Sequence, residues 1–138
     1  MYNIDLSDKK GLILGVTNRR SIAWGIADIT ARAGARLAFS YQAERLRPAL
    51  EKLTADLDSP LLAQCDVQDD AQLDALFAAI EEEFGQLDFV VHSLAFAPGE
   101  TFAEPFVATR RADWQAAMDV SAYSLVAVAQ RAAPLMKD

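Results

Sequence analysis

Cysteine and histidine are nearly absent: the chain has one of each, Cys65 and His92. A lone thiol excludes a disulfide framework within these residues, and a lone imidazole leaves no Cys/His set at metal-ligand spacing. Long apolar runs are also missing, since no stretch approaches the roughly 20 residues a membrane-spanning helix needs. Positive charge is in the minority. Thirteen Lys and Arg against 20 Asp and Glu leave a formal charge of −7, so nucleic acid and anionic membrane are poor partners on global charge. Residues 1–10 carry charges and no apolar core, so no secretory leader is expected. Together these absences predict a soluble protein of a reducing compartment, the cytoplasm. Glycine is scarce as well, at six, and one missing glycine is informative. A dinucleotide-binding turn of the G-x-G-x-x-G type would carry a second glycine two residues after Gly15, where Thr17 stands instead.

Apolar residues are abundant. They make up 52% of 138 residues, enough for one domain whose sheet is buried on both faces. The signals alternate between strand and helix. Strands are expected at Gly11–Val16, Arg36–Tyr41, Leu61–Val67 and Asp88–Ser93. The first helix is expected over Ser21–Ala33, with Ile22, Ile26, Ile29 and Ala33 at helical spacing and Gly34 closing it. The second carries Leu46, Leu50, Leu53 and Leu57, with Pro48 tolerable in a first turn. The third has the stripe Leu73, Leu76, Phe77, Ile80 and Phe84, with Asp69 or Asp70 as cap and Gly85 as stop. After a loop with Pro98, Gly99 and Pro105, one long helix is expected over Ala112–Met136. Alternation of this kind implies parallel strands joined by right-handed crossovers. The fold class is therefore α/β, a doubly wound parallel sheet of the Rossmann type with strand order 3-2-1-4 and a single unit over residues 1–138. Its ligand crevice belongs at the carboxyl ends of strands 1 and 4, where the order reverses.

The candidate site residues all fall at such carboxyl ends or beside them. Gly15 to Ser21 is a strand-to-helix turn that can aim backbone N–H groups and a positive helix end at a phosphate, with Ser21 as cap and Arg19 and Arg20 nearby. The plain alternative is an ordinary turn with a serine cap. Gln42 ends strand 2, where an acidic residue would bind ribose hydroxyls and an arginine would accommodate a 2′-phosphate. An uncharged Gln42 favours NADH over NADPH. Asp66 and Val67 end strand 3, where a carboxylate can accept from the adenine amine and Val67 can pack on the ring; the alternative is an Asp that caps a turn. His92, in an apolar strand, reads as a structural residue rather than a base, and Cys65 as a small core residue. Glu81, Glu82 and Glu83 read as a solvated helix face.

The turn Gly15-x5-Ser21-Ile22-Ala23-x-Gly25 and the strand exit Ser93-Leu94-Ala95 together carry a resemblance. They resemble the enoyl-acyl-carrier-protein reductases of bacteria and plastids, a divergent branch of the short-chain dehydrogenases. Many short-chain dehydrogenases have Asn-Ala-Gly at that exit; Ser-Leu-Ala is close to the Ser-Ile-Gly of the reductases. The resemblance implies NAD as cofactor, held by Gly15, Ser21, Ile22, Gln42, Asp66, Val67, Ser93, Leu94, Ala95 and Val120. It implies a substrate wall at Ala97, with Phe96 beside it, and puts Ser121 where most relatives carry a helix asparagine. It further implies reduction of the 2,3-double bond of an enoyl chain on acyl carrier protein, and a homotetramer with the long helix as an interface element, its Leu125, Val128 and Ala129 face being core or interface.

The family's proton chemistry uses a Tyr and a Lys at Tyr-x-x-x-Lys or Tyr-x6-Lys spacing after strand 5. Seven residues beyond Tyr41 is Pro48, and beyond Tyr123 is Gln130; Tyr2 reaches Lys9, but ahead of strand 1. The resemblance thus covers the cofactor half and assigns no catalytic residue here. An open edge on strand 4 and a poorly covered long helix would then be expected, and so would marginal stability for this half alone. A truncated, cleaved or split reductase fits that pattern. Two other readings stay open: a short-chain dehydrogenase acting on a carbonyl or alcohol, and a non-catalytic NAD-binding module.

Overall fold

The computed structural model describes residues 4–136. Four strands form one parallel sheet: β1 Lys10–Leu14, β2 Arg36–Tyr41, β3 Leu61–Gln64 and β4 Phe89–His92. Their order is β3-β2-β1-β4, the order expected for a Rossmann-type doubly wound sheet. Register places Leu12 beside Ala38 and Val90, and Ala38 beside Leu61. The two inner strands are almost wholly buried, whereas β4 is half-buried along its length.

Two helices cover one face of the sheet. These are α1 (Ile22–Arg32) and α2 (Arg47–Thr54), packed around Ile13, Leu37, Phe39 and Tyr41. On the other face lie α3 (Asp70–Phe84) and α5 (Ser124–Ala132), packed around Leu12, Leu14 and Ala38. The third-helix stripe behaves as its spacing predicts: Leu73, Leu76, Phe77, Ile80 and Phe84 are all buried. Asp69 caps α3 by accepting from the N–H groups of Ala71 and Gln72, and Gly85 ends it in the left-handed conformation at φ +72°. The predicted leucines in and beside α2 face the core, with Leu50 buried, Leu46, Leu53 and Leu57 partly so, and Pro48 in the first turn, where its missing N–H costs nothing.

Two expectations are corrected. In α1 the isoleucine stripe is not the core face. Ile22 and Ile29 are exposed, and the helix packs through the fully buried Ala23 and Ala27, with Trp24 and Ala31 half-buried against the same core. Small residues let α1 approach β1 closely, which is what a helix starting at the end of β1 requires. Nor is the segment after the loop one continuous helix. It is α4 (Arg111–Met118), a π-helical turn at Asp119–Tyr123, α5, and a 3₁₀ turn holding Pro134. The π turn inserts a wider loop of backbone into the helix, a feature common near binding sites. Of the face predicted on this segment, Val128 is buried while Leu125 and Ala129 are exposed. Beyond Leu135 the backbone becomes extended, and Met136 pairs in parallel with Leu87.

Candidate functional site

The carboxyl ends of all four strands converge on one cleft of about 270 Å³. Gly15 is part of its lining. Its φ is +103°, and a Cβ there would lie 1.8 Å from the Ser93 carbonyl oxygen. The glycine is therefore obligatory twice over, for its conformation and for the contact between the exits of β1 and β4. Gly25, the other glycine of the turn motif, has open space where a Cβ would stand, so the chain's own packing does not require it.

The turn between β1 and α1 is organised by Asn18. Its side chain accepts from Arg20 N–H at 2.8 Å, and its carbonyl accepts from Ser21 Oγ at 2.7 Å. Ser21 caps α1 with one long bond, accepting from Trp24 N–H at 3.4 Å. No hydrogen bond within the described residues takes up the N–H groups of Ile22 and Ala23. A helix start with free donors and a positive dipole end therefore faces solvent beside the cleft.

The opposite rim is acidic and tied together. Gln42 Nε2 donates to Asp66 Oδ2 at 3.3 Å, and Asp66 Oδ1 accepts from Gln68 N–H at 3.0 Å. Tyr41 Oη donates to Glu44 at 3.1 Å; burial, and then Glu44, pushes its pKa up. Arg47 is held between Glu44 and Glu51. Burial and the neighbouring Asp66 push the Cys65 thiol up to about 12. It is thus a protonated, unreactive part of the cleft floor, as a small core residue should be.

Of the residues singled out from the sequence, Gly15, Gln42, Asp66, Val67, Leu94, Ala95 and Val120 line this one cleft. Ser21, Ile22 and Ser93 lie outside its lining, Ser21 and Ile22 at the helix start and Ser93 behind Gly15. Ala97 is half-buried and also outside the lining. Sequence reasoning missed Leu46, Leu50 and Leu53, which form an apolar wall. The leucine spacing of α2 was visible, but not that part of that face borders a cavity. His92 is a satisfied residue, its Nε2 lying 2.7 Å from Ser124 Oγ. Among the described residues no group of three or more His, Cys, Asp or Glu converges, and no helix is long and apolar enough to cross a membrane.

Residues 15–138 match the family model described as enoyl-(acyl carrier protein) reductase. The chain belongs to that family. Similar to it are the enoyl-[acyl-carrier-protein] reductase [NADH] 1 of Rhizobium meliloti, 43% identical over 96% of this chain and 49% of that protein, and the Aquifex aeolicus reductase, 42% identical over 96% and 49%. The crystal structure of the Aquifex enzyme superposes with a TM-score of 0.92 over 96% of this chain and 57% of that one, at 42% identity. A reductase of Anaplasma phagocytophilum, solved in complex with NAD, gives a TM-score of 0.90 over 95% and 50% at 37% identity. This member of the reductase family thus spans about half the length of the curated relatives it matches.

Proposed function

We propose that this chain is the cofactor-placing half of an NADH-dependent enoyl-acyl-carrier-protein reductase. The observation that carries the reading is the convergence of Gly15, Gln42, Asp66 and the Leu94–Ala95 exit on one cleft at the point where strand order reverses. The similar proteins are named as NADH reductases of enoyl-acyl-carrier-protein, and one is described with NAD bound.

The residues present fit a dinucleotide. Gly15 keeps the floor bare, and the free N–H groups of Ile22 and Ala23, behind the Ser21 cap, suit a pyrophosphate. Gln42 and Asp66 offer acceptors to the adenosine ribose and the adenine amine, with Val67 and Val120 as apolar flanks. The negative charge of this rim disfavours a 2′-phosphate, and Arg47, next in the chain to the wall residue Leu46, is engaged by two carboxylates. NADH is therefore preferred to NADPH. Ser93, Leu94 and Ala95 would lie along the nicotinamide ribose, and Ala97 would border the enoyl chain. When bound, the cofactor supplies a hydride to the β-carbon of the enoyl thioester. No residue of these 138 is assigned the proton.

The acyl chain would arrive on acyl carrier protein in the cytoplasm. Trp114, Met118, Tyr123 and Leu125 leave exposed apolar side chains along α4, the π turn and α5, which suits a homotetramer built through this segment. The test is calorimetry with NADH and NADPH on the full-length protein, followed by turnover of a crotonyl thioester against a ketone. Preferential NADH binding, lost in Gly15→Ala, with thioester turnover is expected. Turnover of the ketone alone would identify a different dehydrogenase, and NADH binding without turnover a non-catalytic module.

A further inference from the structure

The π-helical turn and the residue after it are fastened to the sheet's strand ends at three points. At its start, Asp119 Oδ2 accepts from Gln68 Nε2 at 2.9 Å, which ties it to the exit of β3. Just past its end, Ser124 Oγ donates to Val120 O at 2.6 Å and meets His92 Nε2 of β4 at 2.7 Å. With that hydroxyl proton committed to Val120, His92 is the donor to Ser124. Between them, Ser121 Oγ accepts from Phe96 N–H at 2.9 Å and donates to Phe96 O at 3.0 Å. One hydroxyl therefore satisfies both backbone groups of a single residue.

That residue sits in the segment Leu94–Ala97, which supplies Leu94, Ala95 and Phe96 to the cleft. Little else holds this segment. Ser93 N–H donates to Leu14 O before it, and Pro98 O accepts from Thr101 after it. Among the described residues no other hydrogen bond reaches the backbone of residues 94–97. The Phe96 ring is 51% exposed and Ala95 is exposed, so of the three wall residues only Leu94 packs against the core.

We infer that Ser121 is a positioning residue: it holds the Phe96 backbone so that the exit of β4 keeps the wall of the cleft on which the nicotinamide end of the cofactor rests. The inference rests on the NADH reading above. It differs from a purely structural role because Ser121 is only half-buried and acts on a loop that borders the ligand.

The test uses the full-length protein with Ser121→Ala, which removes both bonds, and Ser121→Thr, which keeps a hydroxyl. Ser121→Cys, similar in size but a weak donor and acceptor, serves if Ser121→Ala does not fold. Amide hydrogen exchange at Phe96, measured without ligand, is expected to rise about 10-fold in Ser121→Ala, the effect of losing a bond of ordinary strength. Turnover of a crotonyl thioester is expected to fall by roughly 10- to 100-fold in kcat, as misplacement of a reacting group does. NADH affinity should change less than about threefold, because the groups offered to the adenosine and pyrophosphate, Gln42, Asp66 and the Ile22 and Ala23 N–H groups, are left in place. Ser121→Thr should restore both exchange and kcat. Unchanged exchange at Phe96 would overturn the tether. Raised exchange with unchanged kcat would overturn the positioning role, as would equal losses in kcat and NADH affinity that threonine does not rescue. If the wild-type protein binds no NADH, the reading of the cleft fails, and with it the positioning role. The exchange rates would still report whether Ser121 tethers Phe96, so the two failures are distinguishable.

Discussion

Helices α1 and α3 lie on opposite faces of the same sheet and are anchored by opposite means. Helix α3 inserts five large side chains, Leu73, Leu76, Phe77, Ile80 and Phe84, into the core, and is closed at both ends by a strong cap and a left-handed glycine. Helix α1 inserts two alanines, Ala23 and Ala27, and leaves Ile22 and Ile29 in solvent. Its cap is a single long bond, while the Asp69 cap of α3 makes two, the shorter at 2.9 Å. The difference follows from what each helix does. Helix α3 only has to cover a sheet face, so apolar volume decides its packing. Helix α1 begins beside the cleft, and in the proposed NADH-binding role it must lie close to β1 and keep its first N–H groups unclaimed. Close approach selects alanine, and free donors select a light cap.

Substitutions in the two helices probe this contrast, all read by urea unfolding of the full-length protein. The largest effect belongs to Leu76→Ala in α3. A large-to-small change at a buried leucine is expected to cost about 2–5 kcal/mol, and a loss under about 1 kcal/mol would mean that α3 is not the volume-dominated helix described. Next is Ala27→Leu in α1, where extra methylenes against β1 should cost about 1–3 kcal/mol. Unchanged or increased stability there would show slack between α1 and the sheet and remove the argument for close approach. Asp69→Ala should cost about 1 kcal/mol through the lost cap. Ser21→Ala should cost less, so a reversed ranking would break the contrast between the helix starts. The smallest effect is expected at Ile29→Ala, within about 0.5 kcal/mol because the side chain is 64% exposed. A larger loss would mean that the isoleucine stripe is covered in the full-length protein.

The same contrast explains what could be read from the amino acids. In α3, hydrophobic period, cap and stop agree with one another, and the helix follows them residue by residue. In α1 two faces compete, one of isoleucines and one of alanines, and hydrophobicity favours the wrong one. Periodicity weighs apolar size, whereas a helix pressed against a strand is limited by distance. The π turn was likewise invisible. Nothing in Asp119-Val120-Ser121-Ala122-Tyr123 interrupts a helical pattern, and the turn is fixed by bonds to Gln68, Phe96 and His92, which come from distant parts of the chain. Several candidate ligand residues were legible because the ends of parallel strands must share one edge of the sheet. The leucine wall of α2 was not, because the sequence says which face of a helix is apolar and not what that face meets.

The parallel sheet, the crevice at the strand ends and the glycine at its edge were written in the amino acids, since they follow from alternation, turn chemistry and handedness, which act over short stretches of chain; the order 3-2-1-4 followed only once the turn pointed to the Rossmann type. Three-dimensional packing alone settled which face of α1 is buried, where the last helix widens, and that a serine on that widened turn grips the backbone of the β4 exit. Those outcomes depend on distances between segments far apart in the chain, and no local pattern encodes a distance.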